Sequence, residues 1–228
     1  MSAPWSAHDA AHHAVAAQIA ACWSSLDAPI VLSAAAIGLE ATIDAHTRWE
    51  EGRVLPRYEA VVADPEPTAT ADVLRRDHEI LRRRLDALVD LALRSYAVDV
   101  PSLVRAAAVE AVASTWSHHD ARERSHVYPR LDPEDMDERF AVVPRRAGAP
   151  DWVGPLFDAY RSAVAGAPVA APSHPLVGKD ARALDALVAR AFAIGRAVAV
   201  APERSIQQVL RVDDAWRAVL RYALRASS

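Results

Sequence analysis

The chain has a single cysteine, Cys22, in 228 residues, so no internal disulfide can brace it and a reduced, cytoplasmic setting is expected. Glycine is scarce at 7, and no apolar run approaches the ~20 residues needed to span a bilayer. The opening Met1-Ser-Ala-Pro-Trp5 lacks a basic region followed by an apolar core, so no signal peptide is read there. Lysine is nearly missing too: of 26 basic residues only Lys179 is not arginine. Set against 30 acidic residues, these give a net charge of -4, without the basic footprint of a nucleic-acid binder. Neither a nucleic acid nor a membrane is expected as a partner.

What is plentiful is alanine, together with apolar residues recurring at steps of three and four, the period of a helix packed on one face. An all-α chain without sheet follows. Prolines at 29, 65 and 67, 101, and 129 to 133 break the pattern into four long helices, near 6–26, 31–62, 70–94 and 101–128. Their connections are short, which favours antiparallel neighbours and an up-down-up-down four-helix bundle. Residues 1–131 are expected to form the bundle, 132–150 a linker, and 151–228 an extension with helices near 152–165, 179–200 and 203–226. The extension reads as cover or interface. Its Trp152 and Trp216 offer apolar surface for a homodimer.

The histidines carry the chemistry. In the second helix the inward stripe runs Leu32, Leu39, Ile43, then His46, Glu50 and Val54; in the fourth it runs Val109, Val112, Trp116, then His119 and Glu123. Each His-x-x-x-Glu stacks an imidazole and a carboxylate on one helix face, in phase with leucines and valines. Each is followed by a proline at the same spacing, Pro56 after His46 and Pro129 after His119, so the motif is an internal repeat. Helix three contributes His78, with Leu81 and Leu85 in phase; helix one contributes His12, with Val15 and Ile19 in phase, in preference to His13. His13 and His118 read as bystanders, His126 as a helix-end residue, and Trp49, Trp116, Tyr58 and Tyr128 as packing groups.

Carboxylates buried among leucines cost several kcal/mol each unless compensated. Cations are the natural compensation, and four imidazoles with two carboxylates able to bridge suit two ions of high coordination number. Iron or manganese fits such donors better than thiolate-preferring metals, and zinc usually closes with four ligands. Cys22 lies about 15 Å along the helix from His12 at roughly 1.5 Å per residue, too far to join them.

The segments His46-Thr-Arg-Trp-Glu50-Glu51 with Pro56, Asp77-His78-Glu79-Ile80-Leu81, and His119-Asp-Ala-Arg-Glu123 with Tyr128-Pro129 resemble the hemerythrin-like, or HHE cation-binding, family over roughly residues 5–131. That resemblance implies a bundle around a non-heme diiron centre meeting dioxygen, peroxide or nitric oxide, with ligands at His12, His46, Glu50, His78, His119 and Glu123. Manganese and zinc remain compatible with the same donors. Oxygen carriers of the family have a further histidine one turn along the third helix. Here that position is Arg82, which points toward sensing, detoxification or redox chemistry; His8, one turn before His12, is the alternative source of a fifth imidazole. The paired Glu50-Glu51 has no counterpart at Glu123-Arg124, so any supporting role of Glu51 is expected to be asymmetric.

Three functions are compatible with this reading: a small-ligand redox or sensing protein, an oxygenase or oxidase holding an organic substrate between the bundle and the C-terminal helices, and an iron-responsive interaction module. Enzymatic activity is left open by the sequence; if present, it would be that of an O2- or peroxide-dependent diiron oxidoreductase.

Overall fold

The computed structural model describes residues 6–132, 149–199 and 205–227, and the side chains of residues 6–9 and 199 are not among those described. All its regular elements are helical: α1 (Ser6–Ser24), α2 (Pro29–Trp49), α3 (Leu55–Val61), α4 (Ala71–Ala97), α5 (Ser102–Arg122), α6 (Gly154–Ala165), α7 (Gly178–Ala199) and α8 (Ile206–Arg225). A π-helical turn, Glu50–Val54, joins α2 to α3 without a break, and a second, Glu123–Val127, prolongs α5 into a short 3-10 turn at Tyr128–Arg130. The second helix expected from the sequence is therefore one rod of three pieces. Of the linker expected at 132–150, residues 133–148 lie outside the described residues.

The bundle is up-down-up-down and closed: α1 packs on α2 and α5, and α4 packs on α2 and α5. Local chemistry sets the ends. Pro29 starts α2, where its missing N–H costs nothing. Thr70 caps α4 by accepting from the Val73 amide, and Ser205 with Gln208 forms a reciprocal cap on α8. Gly166, at φ 80°, ends α6 in the left-handed region that glycine enters without strain.

The extension is built into the same core. Phe157 and Tyr160 of α6 and Trp216, Val219 and Leu220 of α8 join Leu85, Leu88 and Val89 of α4 in one buried cluster. Each such side chain contributes roughly 1.5–3 kcal/mol of burial. Trp216 is 1% exposed and packs edge-on against Phe192, so it does not supply the apolar dimer surface read from the sequence. Arginines orient α8 antiparallel to α4. Arg225 holds Glu40, Arg221 spans Glu40 and Asp86, Arg217 meets Asp90 at 2.8 Å, and Arg94 meets Asp213 at 2.9 Å. No described helix is long and apolar enough to cross a membrane.

Candidate metal centre

The two prolines that trail the His-x-x-x-Glu motifs shape the backbone at the glutamates. A proline in a helix has no N–H and its ring crowds the carbonyl four residues back, which for Pro56 is Gly52 and for Pro129 is Ser125. The chain relieves this by widening one turn. The Leu55 amide bonds to the Glu50 carbonyl and the Tyr128 amide to the Glu123 carbonyl, both five residues back. Such single π turns recur at functional sites. Here each begins on a carboxylate of the site.

Those carboxylates stand between two apolar layers. Val15, Ile43, Leu81 and Trp116 lie on one side, and Val54, Leu74 and Val127 on the other. Glu50, Glu123, His46, His78 and His119 are completely buried and His12 nearly so. His46 Nε2 is 2.9 Å from Glu50 Oε1, and His78 Nε2 is 3.1 Å from Glu50 Oε2. His119 Nε2 lies 3.5 Å from Glu50 and 3.3 Å from Glu123, while His12 Nε2 lies 3.6 Å from Glu123. Trp116 walls the cluster, 4.9 Å from the His12 ring and 5.5 Å from that of His46.

Their grouping is the informative part. One set of converging donors is His12, His46, Glu50 and Glu123, and the other is Glu50, His78, His119 and Glu123. Both carboxylates belong to both sets. Each set, with two imidazoles and the same pair of carboxylates, could hold a metal ion.

The donor chemistry fits a cation. His78 Nε2, both ring nitrogens of His119 and Glu123 Oε1 are buried with no hydrogen-bond partner among the described residues. Leaving such atoms unsatisfied costs about 1–3 kcal/mol each. Ions coordinated there would offset that cost. Burial pushes Glu50 upward, but the positive charge of His46 and the close approach of the His119, His46 and His78 imidazoles prevail and hold it well below the usual carboxylate range. Burial and the negative charge of Glu50 push Glu123 up to about 8. Without a cation, Glu50 is thus ionised near neutrality while Glu123 retains a proton.

Outward-facing ring nitrogens are also held. His78 donates from Nδ1 to Glu51 Oε1 at 2.8 Å, and Arg82 grips the same oxygen at 2.9 Å while bonding Thr47. His12 donates from Nδ1 to Asp120 Oδ1 at 2.5 Å, and Arg124 holds that oxygen at 2.7 Å. Burial raises Asp120, but the hydrogen bond from His12 and its charge, with Arg124 behind them, bring it down to about 2. The asymmetry expected at Glu51 is therefore repaired. Asp120 takes the matching role in the other half.

Tyr128, like Asp120, has a role that the sequence reading missed. Its hydroxyl donates to Glu123 Oε2 at 2.7 Å and lies 3.1 Å from His12 Nε2, inside the cluster and not in ordinary packing. A signal was present: a π turn brings residues five apart onto one face, and Tyr128 is five after Glu123, where the first half has Leu55 after Glu50. His13 and His118 are exposed, and His126 is half-buried in neither donor set. The side chain of His8 lies outside the described residues.

The family model of the hemerythrin HHE cation-binding domain matches residues 4–131, more than half of the chain. The chain belongs to the hemerythrin HHE cation-binding family. No curated protein and no solved structure matches it. Membership accounts for the helical bundle and for a cation-binding role, and the His/Glu groups of this HHE domain are compatible with a metal site.

Proposed function

We propose that this HHE domain holds two non-heme iron ions through His12, His46, Glu50, His78, His119 and Glu123, and that it binds or reacts with dioxygen, peroxide or nitric oxide in redox, sensing or detoxifying chemistry. The observation that carries this reading is the sharing of both buried carboxylates by both donor sets. Bound iron, cycling between ferrous and ferric, supplies the electrons and an open coordination position for a small ligand; manganese and zinc suit the same donors.

The chain's own groups supply the rest. Glu51 and Asp120 fix the tautomer and orientation of His78 and His12 and increase their basicity. Apolar layers above and below exclude water. Tyr128 holds a proton beside Glu123 Oε2, the one phenol among the described residues in contact with the site's carboxylates. Arg82 is committed to Glu51 and Thr47, in keeping with a sensor or redox protein in preference to an oxygen carrier. An oxygenase would need organic substrate to reach these residues. The cavity between α6, α7 and α8 has none of the six in its walls, which favours the small-ligand reading.

The test is optical. Ferrous-loaded protein prepared without air should develop near-ultraviolet and visible bands on addition of dioxygen, peroxide or nitric oxide; spectra unchanged by all three would overturn the proposal.

A further inference from the structure

Tyr128 stands where the second half of the repeat departs from the first. The repeat pairs α1 and α2 with α4 and α5, so that His12 answers to His78, His46 to His119 and Glu50 to Glu123. It therefore exchanges the two donor sets: His12, His46, Glu50 and Glu123 become His78, His119, Glu123 and Glu50. Each glutamate opens a π turn, and five residues later the second half carries Tyr128 where the first carries Leu55. The imidazoles and carboxylates match one for one; this place does not.

Tyr128 is buried, and its oxygen lies 2.7 Å from Glu123 Oε2 and 3.1 Å from His12 Nε2. Those two atoms are 3.6 Å from each other. Donors held about 2.0–2.2 Å from one ion in neighbouring directions stand roughly 3 Å apart. The three edges straddle that spacing, so one ion can touch all three atoms. His12 presents the right atom: Nδ1 gives its proton to Asp120, and the neutral ring that metal binding requires turns the Nε2 lone pair inward. In the metal-free protein, burial and the neighbouring carboxylates keep the phenol protonated. A bound cation reverses that local balance, as it does for a coordinating thiol.

We propose that Tyr128 is itself a ligand of the ion held by His12, His46, Glu50 and Glu123 when that ion is ferric, and that the position open to a small ligand falls on the other ion. The phenol O–H breaks, its proton passes to solvent, and the oxygen forms the bond to the ion. Phenolate oxygen serves as an iron ligand in other proteins. For the ion of His78 and His119 the repeat supplies Leu55 at the matching place, and leucine has no donor atom. This rests on the two-iron reading above and tells its two ions apart: one is filled by the chain, and the other meets dioxygen, peroxide or nitric oxide.

Resonance Raman spectroscopy of the ferric-loaded full-length protein, excited in its visible band, tests this. Ring modes of a coordinated phenolate are expected, and they should shift in protein grown with ring-deuterated tyrosine. Tyr128→Phe should lose those modes and the band while keeping the helical circular dichroism. Azide titration of the wild type should saturate at one azide per chain. Iron content separates the failures. A chain that takes up fewer than two irons overturns the two-iron reading and this inference with it. Two irons without phenolate modes, modes that survive Tyr128→Phe, or two azides bound per wild-type chain overturn this inference alone. The labelled wild type carries the decisive signal, so the outcome does not depend on how well the variant loads iron.

Discussion

His12 donates from Nδ1 to Oδ1 of Asp120 at 2.5 Å across the packing of α1 on α5, and so does for one half of the bundle what His78 and Glu51 do for the other. The two carboxylates come from different positions in the repeat. Glu51 directly follows the site glutamate Glu50, whereas Asp120 directly follows the site histidine His119. Each is backed by an arginine, Arg82 or Arg124.

Carboxylates that orient metal-binding imidazoles typically contribute 10- to 100-fold in metal affinity. Asp120→Asn and Glu51→Gln should each weaken iron binding by that order while the helical circular dichroism stays that of the wild type. Competition with a ferrous chelator measures it. Equal affinity in all three proteins would show that the outward bonds are incidental.

The carboxyl of Glu123 sits at about 8 in the fold against an ordinary 4.5, so between those values the folded chain holds a proton that the unfolded chain has released. Metal-free protein should therefore lose stability as pH rises from about 5 to 8. Glu123→Gln should flatten that slope. Metal binding requires the deprotonated carboxylate, so ferrous affinity should rise over the same interval. Urea midpoints of the metal-free forms at several pH values decide it; a wild-type slope that Glu123→Gln leaves in place would contradict the account.

Tyr128→Phe removes the hydroxyl that donates to a buried carboxylate. Its loss leaves a buried carboxyl oxygen short of a donor, which costs about 1–3 kcal/mol, and the metal-free variant should be destabilised by that order in urea. The loaded variant should also differ from the wild type in its optical bands. Leu55, at the equivalent place in the first half, predicts the contrast: Leu55→Met, a volume-conserving swap, should cost less than about 1.5 kcal/mol and leave the spectrum alone.

Arg221 joins α8 to both Glu40 and Asp86, and Glu40 is buried. Arg221→Ala strands a buried carboxylate on which, among the described residues, only Arg225 remains, at 2.6 Å. With solvent reaching part of the pair, a loss of about 2 kcal/mol is expected, below the 3–5 of a fully buried pair. Metal content should not change, because the bridge lies more than a helical turn from every candidate ligand. Thermal melting with metal analysis separates the two effects.

The helices and their order were readable because apolar period and proline placement agree along the chain; the six residues that the fold brings together stood out because a repeated His-x-x-x-Glu, and two further histidines in phase with apolar residues, put polar groups where leucines belong. Other features needed coordinates. Asp120 reaches across to another helix, so its partnership with His12 leaves no local spacing, and only Asp120-x-x-x-Arg124 hints at it. Tyr128 was hidden by assuming an α-helical period through the π turn. Trp216 looked like exposed apolar surface because the partners that bury it, on α6 and α7, are distant in sequence.

Iron per chain at saturation, measured on protein loaded without air and freed of loosely bound metal, tests the central claim most directly. Two buried carboxylates shared by two donor sets predict two irons per chain, falling to one or none when Glu50 and Glu123 are both changed to alanine. A single tightly held ion in the wild type, or full loading without both carboxylates, would contradict a shared two-metal site.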